Sequence, residues 1–408
     1  MARIRIIAYV LLIGGVVAAF MRLLPARDDS RVIARERRPD GHQAVHLLSA
    51  SYHLDRVYLS MTGPRSNQSG IRISEDVADD ETVWLTGLET VVVDSRSLER
   101  ISDEFVCHTN LTLNPETTNP DRHNASFDVP HHNEWRFFTL VPGRTSIQLP
   151  EGFGIPVKNS TLLDYFTMAL NQNPADPNLQ VRLKTHINYR TDTGNTQPLR
   201  PLFRRALYIY QQYRQSSDGH SGGIASPQSH RGEECAESTP VEQIGATPST
   251  FAAGAVDKLD HHPGATCCVA NASPDGIVEQ FGDVNTVHWM VPPGRHRFRT
   301  EVTQQMNLPF DTTAHYVTGH LHPFGKSIEL VDMETGEVVF RITSKNREDR
   351  LGVEFISEIH SGVGIPIYQG RRYELVSDYD NSTSQPIDAM AILYIYALDV
   401  DPSVRSRT

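Results

Sequence analysis

The chain has only four cysteines in 408 residues, too few for a disulfide scaffold. Cys267 and Cys268 are adjacent, so at least one needs a distant partner or stays free; pairing either with Cys235 would staple a linker to the second half. Long amphipathic helical periods are scarce, which argues against a helical fold. No long basic run occurs and the net charge is −11, so a nucleic-acid partner is not expected. Glycine-rich phosphate loops are missing, and no Ser/His/Asp order stands out for nucleophilic catalysis.

What is present is a series of short alternating apolar runs broken by turn residues, with Gly 27 and Pro 25 in the chain. That pattern reads as all-β. Strands are predicted over 58–61, 82–85, 89–94, 105–113, 135–141, 179–189 and 202–212, and again over 287–294, 296–302, 315–330, 338–342, 353–356, 364–368, 373–377 and 389–398. The length allows two domains of ordinary size or one large β domain, and this strand spacing suggests two jelly-roll-like β-sandwich domains in tandem. The expected organisation is a signal peptide or membrane anchor over 1–25, a charged tether over 26–44, a first domain over 45–214, a flexible linker or insertion over 215–262, and a second domain over 263–402. Arg3 and Arg5 precede the apolar run 6–20, which reads as an export signal or signal anchor and places the remainder outside the cytoplasm, with membrane contact through this segment. His220, His230, His261 and His262 read as solvated linker residues. Asn-x-Ser/Thr triplets stand at Asn67, Asn110, Asn124, Asn159, Asn271 and Asn381, which matter only where the host glycosylates.

The informative stretch is residues 319–325, which holds His320 and His322 in a run that otherwise reads as strand. Side chains on a strand alternate, so both imidazoles project from one face and can form half of a metal site. In the last strand the same alternation groups Met390, Ile392, Tyr394 and Tyr396. A thioether with two imidazoles suits copper cycling through Cu(I) and leaves positions open for oxygen. The alternatives are a polar exposed strand for the histidines and ordinary core packing for Met390.

His-x-His at 320–322, followed later by Asp388-x-Met390 and then Leu393-Tyr394-Ile395, resembles the type II, ascorbate-dependent copper monooxygenases, the family of peptidylglycine α-hydroxylating monooxygenase and dopamine β-monooxygenase. The segment 149–154 is similar to the family's Leu-Pro-Lys-Gly-Val-Gly, and Cys107-His108 falls where the family carries a His-His pair. The resemblance implies one copper in each of two sandwich domains. His320, His322 and Met390 would bind the copper that activates O2, the other copper would pass an electron, ascorbate or a similar reductant would reduce both, and a substrate C–H bond would be hydroxylated. Departures from the pattern are also plain. Cys107 replaces one histidine of the electron-transfer site, and Asn171-Gln172-Asn173 stands where its third histidine is expected; His108 with Cys107, His131 or His132 could supply that site, and His123 and His186 are further candidates. Tyr394 matches the family's substrate-binding tyrosine, here the candidate catalytic residue, but Thr318 replaces its arginine, so a carboxylate clamp is absent and the substrate class stays open. Two other readings stand beside a monooxygenase: a copper-binding or interaction protein that keeps only the second-domain site, and a metal-free β-sandwich module.

Overall fold

A computed structural model describes residues 30–37, 41–58, 63–114, 136–174, 176–192, 198–212, 272–273, 276–278 and 284–400. The expected signal or anchor, the whole linker, Cys235, Cys267, Cys268, His123, His131 and His132 lie outside them. Among the described residues no helix is long and apolar enough to cross a membrane.

The protein is all-β and built from several packed sheets. Alternating apolar residues form its strands, and the only helical pieces described are one 3-10 turn and the short helix Thr303–Met306. The largest sheet has eleven strands and runs through both halves of the chain. Its central path takes Thr82–Asp94, Phe153–Lys158, Arg200–Tyr208, Ala391–Leu398, Thr312–Leu321 and Ile359–Ile367 in turn. Two further sheets pack on it. One holds Arg65–Ile71, Leu163–Ala169, Val106–Leu113 and Arg136–Leu140; the other holds Gly294–Glu301, Tyr373–Asn381, Gly325–Asp332, Val338–Asn346 and Val353–Ile356.

The strand Ala391–Leu398 has no exposed residue. Ile392, Tyr394, Tyr396 and Leu398 pack with the core of the first half, while Ala391, Leu393, Ile395 and Ala397 pack with the core of the second. It is therefore a partition between two cores, and its continuous apolar sequence is what burial on both faces requires. Arg200–Tyr208 lies antiparallel beside it, with Leu202 opposite Leu398 and Tyr208 opposite Ile392. Residues 202–212, expected to close the first domain, instead join the halves: Leu202 belongs to one core, and Phe203, Leu207 and Ile209 to the other. A turn of the first half is also inserted into the second. There the Arg144 guanidinium donates to the Ile356 carbonyl and lies 2.9 Å from Glu358, and Glu358 accepts the Tyr316 hydroxyl at 2.5 Å.

Three local expectations change. Part of the charged tether is an edge strand, Arg31–Arg37, paired with Gln43–Leu48; Arg35 reaches the backbone carbonyls of Arg72 and Ile73, so the positive charges fasten an edge rather than float beside it. Residues 82–85 and 89–94 form one long strand, Thr82–Asp94. Asn110, Asn159 and Asn381 are buried, and Asn381 donates to the carbonyls of Val291 and Gln385. Those three asparagines have no room for a glycan.

Candidate metal centre between the two cores

His320 is the second-last residue of Thr312–Leu321. It stands opposite Ile392 across the ladder, on the face shared with Tyr316, which packs into the first core. His322 follows the end of the strand. Its N–H donates to the Met390 carbonyl at 3.4 Å and to the Tyr379 hydroxyl at 3.3 Å, and that hydroxyl donates to the same Met390 carbonyl at 2.6 Å. One buried tyrosine thus holds the backbone of His322 at a fixed distance from that of Met390. The turn that follows is tight: Gly325 N–H bonds the His322 carbonyl at 3.1 Å, and Phe324 sits at φ 71°, where Asn346 accepts its N–H at 2.9 Å and offsets the backbone cost. Both glycines of this stretch are close-approach positions. A Cβ at Gly319 would meet the Ile392 carbonyl at 3.0 Å, and one at Gly325 would meet Leu321 at 2.9 Å.

The imidazoles gather in a chain. The rings of His320 and His322 lie 5.0 Å apart at 90°, those of His108 and His320 5.1 Å apart, and those of His288 and His322 5.2 Å apart. Imidazoles bound to one tetrahedral metal through nitrogens at about 2.0–2.1 Å would have centroids about 5 Å apart. All four histidines are at most 5% exposed. Met390 is fully buried and packs on the first-core side with Ile392 and Tyr394, the side His320 faces.

His288 and Asp388 were not singled out from the sequence. His288 immediately precedes Trp289–Val291, which pairs with Ile387–Ala389 and sets Met290 opposite Asp388. The Asp388 carboxylate lies between two rings, with Oδ1 3.2 Å from His288 Nδ1 and Oδ2 2.9 Å from His322 Nδ1. His288, His322 and Asp388 can each offer a ligand atom within 4.8 Å of the others. The one available signal, Asp388 in the Asp-x-Met pattern, pointed to a resemblance rather than to a contact.

Burial dominates the electrostatics. It pushes His108 and His320 well below the usual histidine range, helped by the charge of Arg136 for His108 and by the neighbouring imidazoles for both. His288 is lowered by burial and partly restored by Asp388. For Asp388, burial acts upward, but the two adjacent histidines outweigh it and hold the carboxyl well below its ordinary value. Burial thus favours neutral imidazoles at His108, His288 and His320 beside an anionic carboxylate, a donor set suited to a transition-metal ion. The decisive detail is His320: both of its ring nitrogens are buried and neither has a hydrogen-bond partner. A buried polar atom without a partner costs about 1–3 kcal/mol, and both ring nitrogens of His320 are available as donors.

The other expected residues fall as follows. His108 stands against His320 rather than apart from it. Cys107 is buried, with its sulfur 3.2 Å from His108 Nδ1. His186 packs at 4.2 Å against His46, in a separate pair. Tyr394 is buried under the Arg204 guanidinium, 4.6 Å from the ring centre, and burial pushes its hydroxyl pKa up. Thr318, at the expected arginine position, donates to the Ser357 carbonyl at 3.1 Å.

No family model and no curated protein matches the chain. Weak structural likenesses include a plant receptor-like kinase, ANX2 (7% identity, 92% of this chain and 97% of that one, TM-score 0.18). Others are infectious bursal disease virus strain Gx (8%, 93% and 75%, TM-score 0.17) and tomato vicilin, from Solanum lycopersicum (9%, 93% and 82%, TM-score 0.14). Likenesses this weak define neither a family nor a function.

Proposed function

We propose that this protein binds copper between its two cores and acts as a monooxygenase-like oxidoreductase of the ascorbate-dependent type, hydroxylating a C–H bond with O2. The observation that carries this reading is the pair of partnerless nitrogens on buried His320, inside a cluster of four imidazoles. His320, His322 and Met390 would hold the ion. Copper, when bound, would exchange single electrons with the reductant and O2. The protein's own part is to exclude water by burying the donors and to fix their spacing through Tyr379, which ties His322 to Met390. Two jelly-roll-like sandwiches in tandem, and export through the N-terminal segment, belong to the same proposal.

A specific observation favours a second reading, a copper-binding protein without turnover. The electron-transfer copper of the resembled family would stand apart, yet His108 lies against His320. The experiment is a copper count on the full chain together with ascorbate-dependent oxygen uptake. Metal bound with uptake supports the oxidoreductase; one copper that is lost in Met390→Ala and shows no uptake supports the binding protein. No copper at micromolar concentration sinks both.

A further inference from the structure

We infer that Asp388 is a positioning residue that aims His288 and His322 together, making His288 a further nitrogen donor of the proposed metal centre; this rests on the copper reading above. A carboxylate has two oxygens, and here each faces a different ring. Oδ1 is 3.2 Å from His288 Nδ1 and Oδ2 is 2.9 Å from His322 Nδ1. A neutral imidazole that places its N–H on Nδ1 keeps its lone pair on Nε2. The bond to Oδ1 selects the Nδ1–H tautomer of His288 and leaves its Nε2 as a donor, the role that carboxylates play behind metal-bound histidines, while Oδ2 touches the His322 ring as an ion-pair contact.

The alternative is that Asp388 is itself a ligand beside the two Nδ1 atoms. Ligand atoms about 2.0–2.2 Å from a tetrahedral metal lie about 3.3–3.5 Å from one another. The 3.2 Å contact of His288 Nδ1 with Oδ1 is a hydrogen bond, and the 2.9 Å from Oδ2 to His322 Nδ1 is shorter than that ligand spacing. His288 is 3% exposed, and its ring stands 5.2 Å from that of His322, the spacing of two imidazoles on one ion. The short pairing of Trp289–Val291 with Ile387–Ala389 brings His288 to the carboxylate. Asp388 is two residues ahead of Met390, so one stretch of chain supplies both the orienting group and the thioether.

The test loads the full-length protein, as wild type, Asp388→Asn, Asp388→Glu, His288→Ala and His320→Ala, with Cu(II). Affinity is read by chelator competition and the ligand shell by continuous-wave and pulsed electron paramagnetic resonance. Asp388→Asn is expected to take up copper at saturation but with about 10–100-fold lower affinity. Its directly bound nitrogens should be unchanged, and the signals of the remote nitrogens, which report the Nδ1 hydrogen bonds, should be altered. Asp388→Glu should recover part of the affinity, and His288→Ala should lose one bound nitrogen. Wild-type affinity in Asp388→Asn, a changed direct ligand shell in that variant, or an unchanged nitrogen count in His288→Ala overturns the inference. A wild-type chain that takes up no copper, or His320→Ala binding as wild type does, overturns the copper reading and this inference with it.

Discussion

Replacing His320 by phenylalanine should make the metal-free protein more stable while abolishing its response to copper. Two partnerless buried nitrogens each cost about 1–3 kcal/mol. A phenyl ring of similar outline removes both, and imperfect fit returns about 1 kcal/mol of that gain. The neighbouring rings of His108 and His322, at 5.1 and 5.0 Å, already stand at aromatic packing distance. The expected net gain without metal is about 1–5 kcal/mol. The wild type, by contrast, should gain about 2.7 kcal/mol at a free copper concentration one hundred times its Kd, and the variant nothing. Urea unfolding of the full chain, with chelator and then with copper, measures both, reported by the fluorescence of buried Trp84 and Trp289. A variant that is less stable than wild type without metal, yet keeps the copper shift, would refute the assignment of those nitrogens to a ligand.

Acid should weaken the metal-free fold well above the carboxylate range. His108 and His320 are held well below their ordinary value in the folded state, so the unfolded chain binds more protons once pH drops below about 6.5. Stability therefore falls with falling pH, by about 2.5 kcal/mol between pH 7 and 5.5 for two such groups, which urea titrations at several pH values would detect or exclude. Gly319→Ala should cost about 1–3 kcal/mol by overpacking, because its methyl would press on the Ile392 carbonyl and on the methyl groups of Ile328 and Ile342; an unchanged thermal midpoint would contradict that contact. Arg144→Ala should destabilise the junction of the halves by about 1–3 kcal/mol, discounted for the partial exposure of Glu358, and speed amide exchange in Val353–Ile356, where protection equal to wild type would count against the docked turn.

The sequence made the all-β class plain, because period-two alternation is local and survives into the folded state. It also put His320 and His322 together, since two residues on one strand share a face whatever the strand pairs with. His288 and Asp388 were invisible for the opposite reason: their contact depends on a three-residue ladder between segments far apart in the chain, and neither sits in a repeating pattern. From the sequence His108 reads as a ligand of a separate centre, because its approach to His320 depends on how two sheets pack. The edge strand Arg31–Arg37 reads as a tether because its charged residues break the apolar alternation, and among the described residues it pairs only with Gln43–Leu48. Strand register and sheet packing are long-range properties, and one sequence without relatives carries little trace of them.

The strand Ala391–Leu398 is the last of the described strands in chain order, yet both cores need it. During synthesis the other described strands leave the ribosome before it. Until this strand arrives, Arg200–Tyr208 and Thr312–Leu321 each wait with an open edge on the side where it will lie between them, and the tyrosines of one core and the isoleucines of the other have no wall to close against. Assembly of both halves therefore waits for this strand and is slow in the manner of long-range β topologies. A chain that lacks this strand would be an aggregation hazard rather than a shortened protein.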